Sequence, residues 1–500
     1  MENKFPFNPK TLLIFTIFSC FSFEKMVECG EIGINWGRQT SHRLIPSMVV
    51  DLLLQNGIRN LKLFSPSENV LKAFAGGNII EITVTLPNES LQHIVNPSTS
   101  AYWLQERVGK FQECNINVRH VHVGIEPFST FSRNITYDNA KDALRRIQEG
   151  LIVNGYKNVT ATTPHFTDVL KPNVKKPSEA DFRPDLKPKM IEFLSIINAS
   201  KAPFVVNIFP IHFASEQNWD IEFSFINNKS NFTIEDNGLI YKNVFEFVYD
   251  SVLHAMKKAG APDLKLMVGH IGWPTDGYPG ANTANAERFF REFLPYIKKN
   301  IGTPLRPNTS IDVFIHSLAD ENLNKIDLGA FQRHWGVYRS DGEPKYKIDF
   351  TGEGCDIYPT TAKGVVLMPK RWCTYHGLSK NLTKIKKQFE LACKEADCTS
   401  LSVGGSCSHL TFNQNVSYAF NRYFQKKAQW SSTGKLCDFD GLGKIVTEDP
   451  SVGMCVFPVE ILAAELPDSG GLSSGEERVC GFFGVVLILN LLGLLFLGLV

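Results

Sequence analysis

From Gly30 to Phe350 the chain alternates two kinds of hydrophobic pattern. Short β-branched and apolar runs predict strands at Glu31–Trp36, Arg59–Phe64, Ile79–Leu86, Asn117–Val123, Asn158–Thr162, Pro203–Ile208, Leu264–Gly269 and Ser310–His316. Between them, Pro46–Gln55, Tyr137–Val153, Asn243–Lys258 and Thr283–Lys299 carry apolar residues at three- and four-residue spacing, which predicts amphipathic helices. Strands that alternate with helices pair in parallel, and about eight such units predict a (β/α)8 TIM barrel. Chemistry in that fold sits on the loops that follow the carboxyl ends of the strands, so the residues just past each strand are the ones to weigh.

The pattern changes beyond Phe350. Residues 351–370 are rich in Gly, Pro, Thr and Lys and read as a linker, whereas 371–458 form a compact unit holding six of the eleven cysteines. A second irregular stretch, 459–478, leads to an apolar tail over 479–500 that carries no charge. Ser469, Gly470 and Gly471, a polar spacer and that tail match a glycolipid-anchor signal with attachment at Ser469; a spanning helix would be expected to have basic residues after it. At the other end Lys4 and Lys10 precede the run Leu12–Phe23, with Val27 and Cys29 near a cleavage point, so residues 1–29 read as a signal peptide.

Charge and cysteine usage narrow the setting. A formal net charge of +1 gives no electrostatic footprint for nucleic acid and suits an uncharged partner. The clustered cysteines suit an oxidising compartment, as do the sequons at Asn88, Asn134, Asn158, Asn198, Asn228, Asn231, Asn308, Asn381 and Asn415. No His or Cys set has metal-ligand spacing, so neither metal nor cofactor is expected.

The candidate chemistry lies in two segments. After the predicted fourth strand comes Gly124-Ile125-Glu126-Pro127-Phe128, and after the seventh comes Gly269-His270-Ile271-Gly272-Trp273-Pro274-Thr275. With Ile32–Arg38, Gly57–Phe64, Val206–Pro210 and Arg333-His334-Trp335-Gly336, these resemble the plant β-1,3-glucanases of glycoside hydrolase family 17. The resemblance implies a monomeric barrel that cleaves β-1,3-glucan with retention, with Glu126 at the acid/base position and His270 at the nucleophile position. A retaining glycosidase needs two carboxyl groups about 5–5.5 Å apart. An imidazole at the second place brings no negative charge to an oxocarbenium-like transition state, and an imidazolium would oppose it.

Losing that carboxylate also predicts a Glu126 that is less often protonated. Further departures from the family pattern are Ile125 for Asn, Phe209 for Tyr and Gln332 for Glu, whereas Glu321 in Asp320-Glu321-Asn322 matches. Asp320 or Glu321 as a relay base for an inverting route is the alternative chemistry. The bland alternatives are a structural carboxylate for Glu126 and polar packing for His270. Trp36, Trp273 and Trp335 are candidate platforms for sugar rings, with core packing the alternative; Trp36 and Trp273, which follow predicted strands, are expected at the cleft.

The segments Trp372-Cys373, Ala392-Cys393, Asp397-Cys398, Gly405-Ser406-Cys407, Ser417–Asn421, Cys437-Asp438-Phe439 and Cys455 resemble the carbohydrate-binding module of family 43. That resemblance implies the pairs Cys373–Cys437, Cys393–Cys398 and Cys407–Cys455, where spacing alone leaves other connectivities open. So small a unit needs such staples. Tyr418, Phe420, Tyr423 and Phe424 fit a core or a glucan-contacting face, and the states of Cys114 and Cys355 are open. Three functions are compatible with these readings. One is a glycolipid-anchored β-1,3-glucan-binding protein with reduced hydrolysis on the outer face of the plasma membrane; the others are an active endo-1,3-β-glucanase with a compensating residue and a structural wall tether.

Overall fold

The computed structural model describes residues 30–64, 67–77, 79–132, 137–428 and 434–462. The expected signal peptide, the anchor site at Ser469, the apolar tail and the Asn134 sequon lie outside the described residues. No helix of the described residues is long and apolar enough to cross a membrane.

The strands, in chain order, are β1 (Ile32–Trp36), β2 (Asn60–Leu63), β3 (Glu81–Leu86), β4 (Asn117–Val123), β5 (Thr160–Thr162), β6 (Pro164–Phe166), β7 (Phe204–Ile208), a hairpin of β8 (Ile234–Asp236) and β9 (Leu239–Tyr241), β10 (Leu266–Ile271) and β11 (Val313–Ile315). All but the hairpin form one parallel sheet in the order β5-β4-β3-β2-β1-β11-β10-β7-β6. Its two edges, β5 and β6, are separated in sequence by Thr163 alone, so one broken strand closes the ring into a TIM-like barrel. The helices lie where the apolar periodicity puts them: Pro46–Gln55, Tyr137–Val153, Val244–Lys258 and Thr283–Lys298. Asn243 and Asn282 cap the last two by accepting from the amides of Glu246 and Asn285.

Alternation along the strands sorts side chains between two environments. Ile32, Ile34 and Trp36 of β1 and Leu61 and Leu63 of β2 join the main core between barrel and helices. The other face looks into the lumen, where Val205, Met267 and Phe314 form a separate apolar plug. Gly33 gives the Phe314 ring its place, since a Cβ there would sit 2.6 Å from the ring. At the amino ends of the strands Arg119 pairs with Glu31 and Glu81, and Lys265 with Asp312, so charge closes the end opposite the loops that carry chemistry.

The cysteine-rich unit pairs β12 (Trp372–Tyr375) with β13 (Gly443–Val446), packs helix Phe412–Ala428 on β12 and helix Leu382–Glu395 on that helix. Its disulfides are Cys373–Cys437, Cys393–Cys398 and Cys407–Cys455, the pairs the resemblance implies. Tyr418, Phe420 and Phe424 are buried, and Phe420 stacks on Phe439 at 3.8 Å, so these aromatics are the unit's core and not a sugar-facing surface. Tyr423 is partly buried against the same core. Cys114 is disulfide-bonded and Cys355 is free and exposed.

This unit is docked on the barrel. The 351–370 stretch has no helix or strand, yet Ala362 and Met368 are buried, and Leu367 bridges Ile461. Ile461 itself belongs to the barrel's core, so the start of the second irregular stretch is packed. Glu460 accepts from His42 of the barrel at 2.9 Å and pairs with Arg422, which also pairs with Asp397; Asp397 in turn pairs with Arg333 of the barrel at 3.0 Å. Burial opposes the charge on Asp397, but Arg422, His334, Thr399 and Arg333 together hold its carboxyl below the ordinary 3.8. Burial likewise opposes Glu460, and the His42 bond and Arg422 hold it below 4.5. A depressed carboxyl stabilises the fold fully above its unfolded pKa, and that stability is lost as pH falls through the lower folded value. The thermal stability that the wild type holds over Glu460→Gln should therefore stay constant at pH 5–7, about the range above the ordinary carboxyl value, and shrink in the acid region below it.

Candidate active site

A β-bulge in β10 decides which residue reaches the lumen. Val268 pairs with Val206 and His270 with Asn207, so Gly269 is the extra residue. Leu266, Val268 and Ile271 face the helices and Met267 faces the lumen; an unbroken alternation would turn residue 270 outward. The slip turns it inward. Only glycine fits at the bulge, because a Cβ on Gly269 would lie 2.6 Å from Val205 and 2.7 Å from the Asn207 amide.

Inside, the His270 ring is 6% exposed and stacks on His316 with centroids 4.6 Å apart and planes 2° off parallel. Its Nε2 accepts from the Lys62 ammonium at 3.0 Å. While Lys62 is an ammonium it can only donate, so in that state the lone pair of Nε2 is engaged and the ring proton sits on Nδ1. Burial, then the charges of Lys62, His316 and His122, push the His270 pKa well below 6.5, so the ring is neutral. Lys62 is fully buried, and burial lowers its pKa to about 7 against the opposing pull of Glu126. Burial and Lys62 also take His316 down to about 3.

Glu126 approaches from β4. Gly124 (φ 81°) and Glu126 (φ 49°) both adopt left-handed backbone, which for a glutamate costs about 1–3 kcal/mol and folds the loop back over the barrel mouth. Asn88 fixes that loop: its amide donates to the Ile125 carbonyl at 2.8 Å and accepts from the Ile125 amide at 2.7 Å. Glu126 Oε1 accepts from Asn207 Nδ2 at 2.6 Å. Burial raises the Glu126 pKa above 4.5; the Asn207 bond opposes this, Asp168 adds to it, and Lys62 opposes it. The Glu126 pKa thus lies above the ordinary value because burial outweighs the opposing charge, and that charge comes from Lys62 and not from the neutral His270.

The other candidates divide. Phe209 is half-buried and packs on Trp335 at 4.9 Å, and Trp335 lies 5.5 Å from His316, so these two aromatics continue the histidine stack. Trp36 and Trp273 do not face the cleft. Trp36 follows Ile32 and Ile34 to the helix side, and Trp273, with no exposed surface, stacks on Phe225 at 4.5 Å and donates to the Gly280 carbonyl. Ile125 contributes its backbone to the Asn88 clamp. Gln332 accepts from the Leu328 amide at 2.6 Å and so shapes its own loop.

Glu321 is buried against Gly37 and accepts from the Gln39 amide at 2.9 Å; burial takes its pKa to about 7, opposed by that bond and aided by Asp320. Asp320 is committed to Lys345 at 2.6 Å and to the Gly336 amide. Asn88 is turned into the active loop, so its amide is not presented to a glycan, whereas Asn158, Asn198, Asn231, Asn308 and Asn381 are exposed. Asn228 and Asn415 are half-buried. Among the described residues no cluster could hold a metal ion.

Three residues of this site are not singled out by the motifs, although the first two lie within Gly57–Phe64 and Val206–Pro210: Lys62, Asn207 and His316. Lys62 alone left a signal, a charge between two leucines of a predicted strand at the inward phase.

Comparison with known proteins follows the same division of the chain. Residues 32–350 match the family described as Glycosyl hydrolases family 17, and residues 371–444 match the X8 domain. The chain belongs to glycosyl hydrolases family 17. Glucan endo-1,3-beta-glucosidase 8 of Arabidopsis thaliana is 35% identical over 463 residues, covering 92% of this chain and 93% of that protein. Glucan endo-1,3-beta-glucosidase 5 of the same plant is 36% identical, covering 92% and 94%. Among solved structures, the family 17 barrel is similar to CJP38, a beta-1,3-glucanase and allergen of Cryptomeria japonica pollen, at TM-score 0.60 and 26% identity, covering 64% of this chain and 99% of that one.

The buried Lys62 titrates where solution pH can reach it. Its folded pKa, about 7, lies below the ordinary 10.5, so above pH 7 the unfolded chain binds more protons and stability rises with pH up to the unfolded value. Denaturant unfolding of the wild type should therefore gain on Lys62→Met by up to about 1.4 kcal/mol per pH unit from pH ~7 upward. A difference that stays flat with pH would mean that Lys62 keeps its charge in the barrel.

Proposed function

We infer that this protein binds β-1,3-glucan at the outer surface of the cell and hydrolyses it weakly at most. The observation that carries this reading is the state of His270. Its nucleophilic nitrogen is occupied by Lys62, and the titratable groups that act on the ring, Lys62, His316 and His122, include no carboxylate. The position that the family gives to its nucleophilic carboxylate is held by this neutral ring, which brings no negative charge to offset the positive charge that develops at an anomeric carbon. The names of the relatives, all glucan endo-1,3-beta-glucosidases, support β-1,3-glucan as the ligand.

The acid half of the machinery is kept. Glu126 is buried, hydrogen-bonded to Asn207 and raised in pKa, as a proton donor to a leaving oxygen must be. Phe209, half-buried and backed by the buried Trp335, gives the site an aromatic floor for sugar rings. The X8 domain, read as a carbohydrate-binding module of family 43, adds a second glucan contact, and a signal peptide with a glycolipid anchor near Ser469 would hold a monomer at the plasma membrane facing the wall. Treatment with a phosphatidylinositol-specific phospholipase should release the protein from membranes, and retention would point to a spanning tail.

Hydrolysis tests the central claim. Purified ectodomain should be retained by insoluble β-1,3-glucan and release little reducing sugar from a soluble one. His270→Glu should raise turnover on the order of 100-fold or more, recovering part of the roughly million-fold that loss of a nucleophile can cost. Lys62 is already placed to pair with the new carboxylate, and Ile125→Asn should add to the gain. Wild-type turnover equal to that of ordinary family members would refute the reading.

A further inference from the structure

The loop after β11 holds the cysteine-rich domain with two side chains and the cleft with the next. Arg333 donates to Asp397 at 3.0 Å, and His334 Nε2 bonds the Thr399 hydroxyl at 2.7 Å. Trp335, one residue on, packs on Phe209 and His316 inside the barrel. The loop after β10 is gripped in the same way. Asp276 accepts from the Ser406 amide at 2.6 Å and from its hydroxyl at 2.7 Å, while Thr275 binds the His334 carbonyl. Gly404 sits so close to this loop that a Cβ would lie 2.5 Å from the Pro279 nitrogen. Phe331 then joins the two loops, edge-on to Tyr278 and 5.8 Å from Trp335.

We propose that the X8 domain is a fixed wall of the barrel, a positioning element that holds the Ala330–Trp335 loop and through it the aromatic floor of the cleft. A module acting only as a glucan-binding appendage would need none of these contacts. Here it meets both loops that flank the floor, and it is clamped at its far end by Glu460 and Ile461. Breaking the contact from the module side therefore loosens Trp335 without touching the cleft. The effect on ligand rests on the glucan-binding reading above; the effect on the loop does not.

The test uses the full ectodomain with Thr399→Val, Thr399→Ser and Gly404→Ala. Thr399→Val removes the hydroxyl that meets His334, Thr399→Ser keeps it, and Gly404→Ala drives a methyl against Pro279. Amide hydrogen exchange over residues 330–337 should speed up at least about tenfold in the Val and Ala variants and stay at the wild-type rate in the Ser variant. Affinity for a β-1,3-linked glucose hexamer, measured by calorimetry, should fall about three- to tenfold in the same two variants. In a Trp335→Ala background the Thr399→Val effect on affinity should vanish, since it acts through that ring. Unchanged exchange over 330–337 in both disrupting variants would overturn the proposal. If the wild type binds no hexamer, the glucan reading falls and the exchange measurement alone decides the wall. If Thr399→Val does not fold, Gly404→Ala decides on the same readouts.

Discussion

β10 carries one more residue across the sheet than its neighbour β7, and the extra residue is Gly269. A strand has only two faces, so a slip of one position exchanges them for every residue that follows. That slip takes residue 270 from the helix side to the lumen, beside Lys62, whose charge also acts on Glu126. The identity of residue 270 then fixes the electrostatics of the whole mouth. A carboxylate there would pair with the Lys62 ammonium and keep it charged. With His270 in its place, a fully buried lysine faces an imidazole, and burial drives both toward their neutral forms.

Two consequences run in opposite directions. The base side of the site is left without a negative charge, which is what a glycosyl cation would need. The acid side is preserved, because the Glu126 pKa is set first by burial and only then by its neighbours. On the reading proposed above, His270 takes the nucleophile's function from the pair and leaves the geometry of the acid in place. The loop geometry that presents Glu126, with its left-handed backbone and the Asn88 clamp, remains in place.

The cysteine-rich domain adds a second layer of constraint. Its own fold is held by three disulfides around a small aromatic core. Its junction with the barrel is polar and buried, a chain from His42 through Glu460, Arg422 and Asp397 to Arg333. Such a junction is directional, since each buried charge is tolerated only in the geometry that pairs it. The stretch over 351–370 looks like a linker by composition because it has no periodicity to show, yet a partner surface rather than a repeating pattern holds it in place.

The sequence by itself determined the alternation of strands and helices, the barrel, the cysteine unit and the two segments that carry Glu126 and His270. All of these are local patterns or contiguous motifs, and periodicity is enough to display them. It also held the evidence that Trp36 lies on the helix side, since that residue shares the phase of Ile32 and Ile34. Only the tertiary structure decided the rest. A bulge is invisible to a pattern of period two until the neighbouring strand is known, and Trp273 becomes core only when Phe225 closes over it. Lys62, Asn207 and His316 come from three strands or strand ends far apart in the chain, and they meet His270 and Glu126 because the barrel closes. The charge state of each depends on that enclosure, and burial in a shared lumen is a property no single segment possesses.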